Sequence, residues 1–173
     1  MIVILYDSES EEIQRVVSRI RNGMSGRCET MSLDNISHSI LERADTILFG
    51  CKSGLTPGLS HRMLEFMDRT QDRFINQVWR NKFASGFTIG EGSSSIKTLE
   101  DLFAFACKHS MIWIPQGHLE ETGGQNMPIG TTVNSNKSYL GCIATLRNTD
   151  LTAEIFGRRI REQTERLLNT RAE

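Results

Sequence analysis

Short apolar segments rich in β-branched residues alternate with amphipathic segments of helical period along most of this chain. The first apolar run, 1–6, is typical of a strand buried on both faces of a parallel sheet. Apolar residues then recur at helical spacing, at Ile13, Val16, Val17 and Ile20. Because strands that alternate with helices need crossover connections, this pattern predicts an α/β fold with a parallel sheet covered on both faces.

The same alternation continues to the C-terminus. Further strands are predicted at 27–31, 45–50, 83–89 and 111–114. Further helices are predicted at 36–43, at 59–70, after the glycine-serine run 90–95, and at 151–168. The polar, glycine-rich segment 116–136 is too long for a plain turn, so it is a candidate functional loop or oligomer contact.

Length, charge and cysteine spacing narrow the function classes. The 173 residues suit one domain, 1–173, and the net charge of -1 gives no basic excess for nucleic acid. The N-terminal apolar run is too short for a membrane span and lacks a basic lead-in, so a cytoplasmic protein without a membrane partner is expected. Widely spaced cysteines predict free, mostly buried thiols rather than disulfides, and the histidines have no metal-ligand spacing, so no metal is expected.

Three polar loops follow predicted strands, at 7–12, 51–58 and 90–95. In open α/β sheets, ligands bind beyond the carboxyl ends of the strands, at the point where the strand order reverses. These loops are therefore the candidate ligand site.

Several motifs between residues 46 and 132 resemble those of a known protein family. A strand with the sequence ILFG precedes a Gly/Thr/Pro loop and a helix containing MLEFMDRT, and Trp79, Lys82 and Ala84-Ser85 follow in order. The tracts HSMIWIPQG (109–117) and MPIGTT (127–132) come next. Together these segments resemble the flavodoxin-like family, and within it the tryptophan-repressor-binding-protein type of NAD(P)H:quinone oxidoreductase, or NADPH-dependent FMN reductase.

The resemblance implies a three-layer sandwich with a five-stranded parallel sheet in the order 2-1-3-4-5. It also implies an FMN cofactor, NAD(P)H as co-substrate, a quinone-like acceptor and a homodimer or homotetramer. Since the flavin would carry the chemistry, no catalytic side chain is required. A second hypothesis is a flavodoxin-fold binding or interaction protein that has lost tight FMN binding, because a fold does not determine a function.

The first loop matches the family's phosphate-binding loop. The matching positions are Ser8, Ser10, Glu11, Glu12 and Ile13. The family has glycine where this chain has Glu11, so the carboxylate is expected to weaken FMN binding and Glu11→Gly to strengthen it. The alternative is that Ser8 and Glu11 form a capping box that only stabilises the following helix.

The second and third loops match the family's contacts to the flavin ring system. The matching positions in the second loop are Ser53, Gly54 and Thr56, in a loop without an aromatic residue. The third loop contributes Thr88, Gly90, Gly92 and Ser93, whose backbone amides would meet the pyrimidine part of the ring. As alternatives, the second loop is a plain strand-to-helix turn and the third is a loop ending in a Ser94 N-cap.

Two ring-bearing residues also match family positions. His109 corresponds to a histidine that reaches the flavin from a neighbouring subunit, and Trp79 to a residue that stacks on quinone or nicotinamide. The alternatives are a helix C-terminal cap for His109 and a core or interface aromatic for Trp79.

Overall fold

The computed structural model describes residues 1–53, 58–117, 138–145 and 149–170. The strands in these ranges are β1 (Ile2–Tyr6), β2 (Glu29–Ser32), β3 (Thr46–Lys52), β4 (Phe83–Ile89), β5 (Ile112–Trp113) and β6 (Cys142–Ala144). The helices are α1 (Glu11–Gly23), α2 (His38–Arg43), α3 (His61–Asp68), α4 (Gln71–Ile75), α5 (Gly92–Lys108) and α6 (Thr149–Thr170).

The strands form one parallel sheet in the order β2-β1-β3-β4-β5, which confirms the predicted topology. Strand β6 was not predicted, and it also pairs with β4. In the register, Phe83 at the start of β4 lies opposite Ile112 of β5, whereas Phe87 near its end lies opposite Cys142 of β6. The two short strands β5 and β6 therefore share the position beside β4, and β6 brings the residue after it, Thr145, to the carboxyl edge.

Alternation along the strands creates a core on each face of the sheet. On one face, Val3, Leu5 and Phe49 pack with α3 and α5. On the other, Ile4 and Leu48 pack with α1 and α6. Both faces are covered, which explains why the central strands read as continuous apolar runs.

Helices α1 and α6 touch through two glycines. A Cβ on Gly23 would overlap the backbone carbonyl of Glu154, and a Cβ on Gly157 would overlap that of Ile20. The two backbones therefore lie in direct contact, which holds α1 against the sheet and positions its N-terminus at the carboxyl edge.

One helix and one helix boundary differ from the predictions. Helix α4 was not predicted, and α5 begins at Gly92, inside the predicted loop 90–95. The N-cap of α5 is Glu91, so the interpretation of Ser94 as the N-cap was wrong. The serine run is helical despite its weak helix propensity, and it is held by a tertiary hydrogen bond: Ser53 Oγ donates to Ser95 Oγ at 3.1 Å.

The remaining predictions concern loops and cysteines. Most of the predicted interface segment 116–136 lies outside the described residues. All four cysteines are free, as predicted; Cys51 and Cys142 are buried, Cys28 is half-buried and Cys107 is exposed. None of the helices in the described ranges is long and apolar enough to span a membrane.

Candidate functional site

The candidate site lies at the carboxyl edge of the sheet, around the switch between β1 and β3. The chain leaves β1 toward α1 on one side and leaves β3 toward α3 on the other. The segment after β4 enters α5 at the same edge. The described parts of the three predicted loops thus come together, as the α/β rule requires.

A buried carboxylate organises the first loop. The side chain of Asp7 is 5% exposed and accepts hydrogen bonds from the Glu9 backbone N–H at 3.2 Å and from Ser60 Oγ at 2.7 Å. Arg62 Nη1 also donates to Asp7 Oδ1 at 3.1 Å. Arg62 additionally pairs with Asp34. Asp7 therefore ties the β1 loop to the start of α3, a role that the sequence did not reveal.

The predicted capping box is not formed. The N-cap of α1 is Ser10 rather than Ser8, and the Ser8 hydroxyl donates to Asp34. Ser10 does not cap a backbone N–H either; within the described structure its hydroxyl donates to Glu12. The Ser8 hydroxyl and the Glu9 N–H bind the carboxylates of Asp34 and Asp7 instead, because charged acceptors form stronger hydrogen bonds.

The two glutamates at the start of α1 have opposite surroundings. The Glu11 side chain is 89% exposed and faces Arg15, 3.9 Å away on the next turn. Glu12 points toward the sheet edge, where Lys52 Nζ donates to its Oε1 at 3.2 Å. The hydrogen bond from Ser10, followed by that from Lys52, lowers the pKa of Glu12 to about 2. The charge that the first loop presents to the site is therefore that of Glu12, and Ile13 behind it belongs to the core.

Hydroxyl groups join the second and third loops. Ser53 Oγ lies 3.0 Å from Thr88 Oγ1 and donates to Ser95 Oγ at 3.1 Å. Thr88 Oγ1 is buried and donates to the Cys51 carbonyl at 2.7 Å. Gly90 has a φ of 154°, and a Cβ on it would lie 2.6 Å from Ser95 Oγ. Glycine at this position allows the β4 loop to pack directly on the β3 loop.

The other predicted ring-binding positions divide into two groups. Gly92 opens α5 with a φ of 70°, a Cβ on it would meet no atom of the described structure within 4 Å, and Ser93 beside it is exposed. Both therefore border open space at the edge. Gly54 and Thr56 lie outside the described residues.

A cavity of about 130 Å³ lies at the centre of this edge. Its walls are Glu12, Lys52, Ile89, Gly90, Glu91 and Thr145. These residues come from the ends of β3 and β4, from the entrances of α1 and α5, and from the residue after β6. Two carboxylates and one ammonium group face the same small space, so the described part of its wall carries a net negative charge.

His109 lies in the core instead of at this edge. It is 1% exposed, occupies the C-cap position of α5 and packs 4.7 Å, centroid to centroid, from Trp79. Thr70 gives its single hydroxyl proton to the Met67 carbonyl at 2.6 Å, so His109 Nε2 must donate to Thr70 Oγ1 at 3.1 Å. Burial, and then the charge of Lys108, lower the pKa of His109 to about 4. Its location agrees with the C-cap interpretation and opposes a role at a neighbouring subunit's flavin.

Trp79 is also a core residue. Its side chain is 0% exposed and lies among the rings of Phe49, Phe66, Phe105 and His109, with centroid distances of 6.3, 6.2, 6.1 and 4.7 Å. A fully buried indole cannot stack on a substrate. The structure therefore favours the core interpretation over the substrate-binding one.

Comparison with known proteins supports the fold. No family profile and no curated protein matches the chain. Among solved structures, a flavodoxin, WrbA-like protein from Agrobacterium tumefaciens aligns with a TM-score of 0.74 at 20% identity, over 95% of this chain and 97% of that one. A Fusobacterium nucleatum flavodoxin bound to flavin mononucleotide aligns with a TM-score of 0.68 at 12% identity, over 95% and 97% of the two chains. A flavone reductase gives 0.65 at 14% identity, over 96% and 64%.

This chain has the flavodoxin-like fold. At its carboxyl edge, sequence reasoning missed four of the six cavity residues: Lys52, Glu91, Ile89 and Thr145. A signal existed for the first three, because each lies within two residues of the end of a predicted strand. Thr145 carried no such signal, since the short strand before it was not predicted.

Proposed function

We propose that the protein is a flavin-dependent oxidoreductase that holds an FMN-class flavin at the carboxyl edge and passes electrons from NAD(P)H to a quinone-like acceptor. The similarity to flavodoxins, one of them bound to flavin mononucleotide, supports the flavin part of this proposal. The sequence motifs between residues 46 and 132 support the nicotinamide and quinone parts.

The observation that carries the proposal is the difference between the helices at this edge. Helix α3 is capped conventionally, because Ser60 Oγ accepts a hydrogen bond from the Met63 N–H at 3.3 Å. In the described structure, the N-cap side chains of α1 and α5 make no such bond. The first backbone N–H groups of a helix have no partner within the helix. Residues at both helix entrances, Glu12 and Glu91, line the cavity, and the first backbone N–H groups of α5 would suit the carbonyl oxygens and ring nitrogens of a flavin.

The residues at the edge fit a flavin held by its ring system. Gly92 is exposed at the start of α5, whereas the Gly90 N–H already donates to the Ala144 carbonyl at 3.1 Å, and the hydroxyl oxygens of Ser53 and Thr88, 3.0 Å apart, link the two loops. A bound flavin supplies hydride acceptance and electron transfer. The protein's contribution is to orient the ring and shield one of its faces. Donor and acceptor would approach the open face in turn, without help from the buried Trp79 and His109.

A second candidate is a flavodoxin-fold binding protein without tight FMN binding. The carboxylates of Glu12 and Glu91 on the cavity wall favour it. The cavity of about 130 Å³ is also smaller than the roughly 300–1,000 Å³ of typical ligand pockets. A ligand at this edge would therefore be only partly enclosed.

Spectroscopy of the purified protein separates the two candidates. The flavoprotein should show the visible flavin absorbance bands, either as isolated or after flavin addition and desalting. Anaerobic NADH or NADPH should then bleach the bands, and a soluble quinone should restore them. A protein that stays colourless after flavin addition would exclude the oxidoreductase and support the binding protein. Light scattering at micromolar concentration tests the proposed homo-oligomer in the same preparation.

A further inference from the structure

The Glu12 carboxylate already fills the role of an anion at this corner of the site. Both of its oxygens have donors: Ser10 Oγ donates to one, and Lys52 Nζ donates to the other at 3.2 Å. The carboxylate also sits in the first turn of α1, where the helix dipole favours negative charge. An incoming anion would meet donors that are in use and a like charge beside them.

We propose that Glu12 is a specificity-determining residue of the flavin site, which therefore prefers a flavin without a terminal phosphate, such as riboflavin, over FMN. This inference rests on the proposed function. FMN binds only when its phosphate displaces Glu12 from Lys52, whereas riboflavin leaves the Glu12–Lys52 pair intact.

Neighbouring charges strengthen the preference. Glu91 lies on the same cavity wall and adds a second carboxylate, while Lys52 is the one cation among the described residues that line the cavity. Lys52 gives one of its three donors to Glu12, whose carboxylate also offsets the charge that Lys52 would offer to a phosphate. Arg62, the nearby cation of α3, is engaged by Asp7 and Asp34.

The size of the effect follows from electrostatics. A carboxylate about 5 Å from one phosphate charge, at an effective dielectric of about 20, weakens binding by roughly two decades. Lys52 is half exposed, so solvent screening reduces this figure. We therefore expect Glu12→Gln to strengthen FMN binding between about threefold and a hundredfold. Riboflavin binding should change by less than about threefold, because riboflavin has no phosphate to repel.

The chain offers a matched control one residue away. Glu11→Gln removes the same charge from the same helical turn, but the Glu11 side chain faces solvent and Arg15. It should leave both affinities nearly unchanged. In the Glu12→Gln background, Lys52→Met should remove most of the gain in FMN affinity, because the freed ammonium is the new partner of the phosphate.

Fluorescence titration of FMN and riboflavin into wild type, Glu12→Gln and Glu11→Gln tests the proposal. A wild type that binds riboflavin at least as tightly as FMN, with a gain for FMN alone in Glu12→Gln, is the expected result. Flavin binding with a strong preference for FMN and no effect of Glu12→Gln would overturn this inference and leave the proposed function standing. Binding of neither flavin to any variant would overturn the proposed function, and the flavin preference with it.

Inorganic phosphate gives a test that does not depend on flavin. At constant ionic strength and about ten times its dissociation constant, phosphate should raise the melting temperature of Glu12→Gln by about 3–6 °C. Wild type and Glu11→Gln should gain much less. Equal shifts in the three proteins, or no shift in any of them, would show that Glu12 does not compete with an anion.

Discussion

Residue types that often have functional roles have opposite surroundings in two regions of the molecule, the aromatic core beneath α5 and the polar carboxyl edge of the sheet. In the core, Trp79 and His109 are removed from solvent and hold neighbouring elements together. At the edge, Glu12 and Lys52 keep their charges and pair beside a cavity. The residue types that most often suggest chemistry lie in the core here, whereas a glutamate in the first turn of a helix lines the candidate site. Burial, more than residue type, separates the two roles.

Trp79→Ala is the strongest test of the structural role of the aromatic core. Removing a fully buried indole from among three phenylalanine rings should lower the free energy of unfolding by about 3–5 kcal/mol. Urea denaturation measures the change. Trp113→Ala, which truncates a half-buried indole at the sheet edge, should cost less. If Trp79→Ala cost less than Trp113→Ala, Trp79 would not be the core residue described here.

The lowered pKa of His109 predicts that the stability of the protein depends on pH. Its pKa is about 4 in the folded protein and 6.5 when unperturbed, so between these values the unfolded chain binds a proton that the native state does not. The stabilisation is complete above pH 6.5 and is lost as pH falls to about 4. The loss should amount to about 3 kcal/mol. Urea titrations across this range should show a smaller loss for His109→Gln; an unchanged loss would assign the effect to other groups.

A prediction for the carboxyl edge of the sheet concerns the buried carboxylate of Asp7. Asp7→Asn removes the charge that accepts bonds from Ser60 and Arg62, and it should destabilise the protein by about 2 kcal/mol. Asp34→Asn is the matched control, because Asp34 binds the same Arg62 but its side chain is 55% exposed. It should cost under about 1 kcal/mol. Equal effects in thermal and urea unfolding would mean that burial of Asp7 does not strengthen its ion pair.

The smallest expected effect distinguishes a glycine at the candidate site from a glycine elsewhere in the fold. Gly92 and Gly26 have φ values of 70° and 71°, and a Cβ on either would meet no described atom within 4 Å. Alanine at each position should therefore cost a similar 1–2 kcal/mol, roughly the left-handed backbone penalty. Only Gly92 lies at the candidate site, so Gly92→Ala alone should weaken riboflavin and FMN binding. Equal affinities in the two variants would remove Gly92 from the site.

Much of the fold could be predicted because local pattern and topology rules agree. Buried strands such as β3 and β4 read as apolar runs, and parallel strands joined by helices leave few possible topologies. Strand β6 was not predicted, because three residues carry too little periodic signal and the strand is defined by its pairing with β4. The start of α5 was predicted incorrectly, because a glycine-serine run has weak helix propensity, which tertiary hydrogen bonds override.

The sequence by itself determined the α/β architecture and the edge at which ligands are expected, since both follow from periodicity and chain direction. Tertiary structure alone decided which residues face that edge. The side-chain direction of Glu12 depends on Lys52, 40 positions away, and the burial of Trp79 depends on the rings of Phe49, Phe66 and Phe105, which come from three separate elements. Such contacts join residues that are distant along the chain, so no local pattern encodes them.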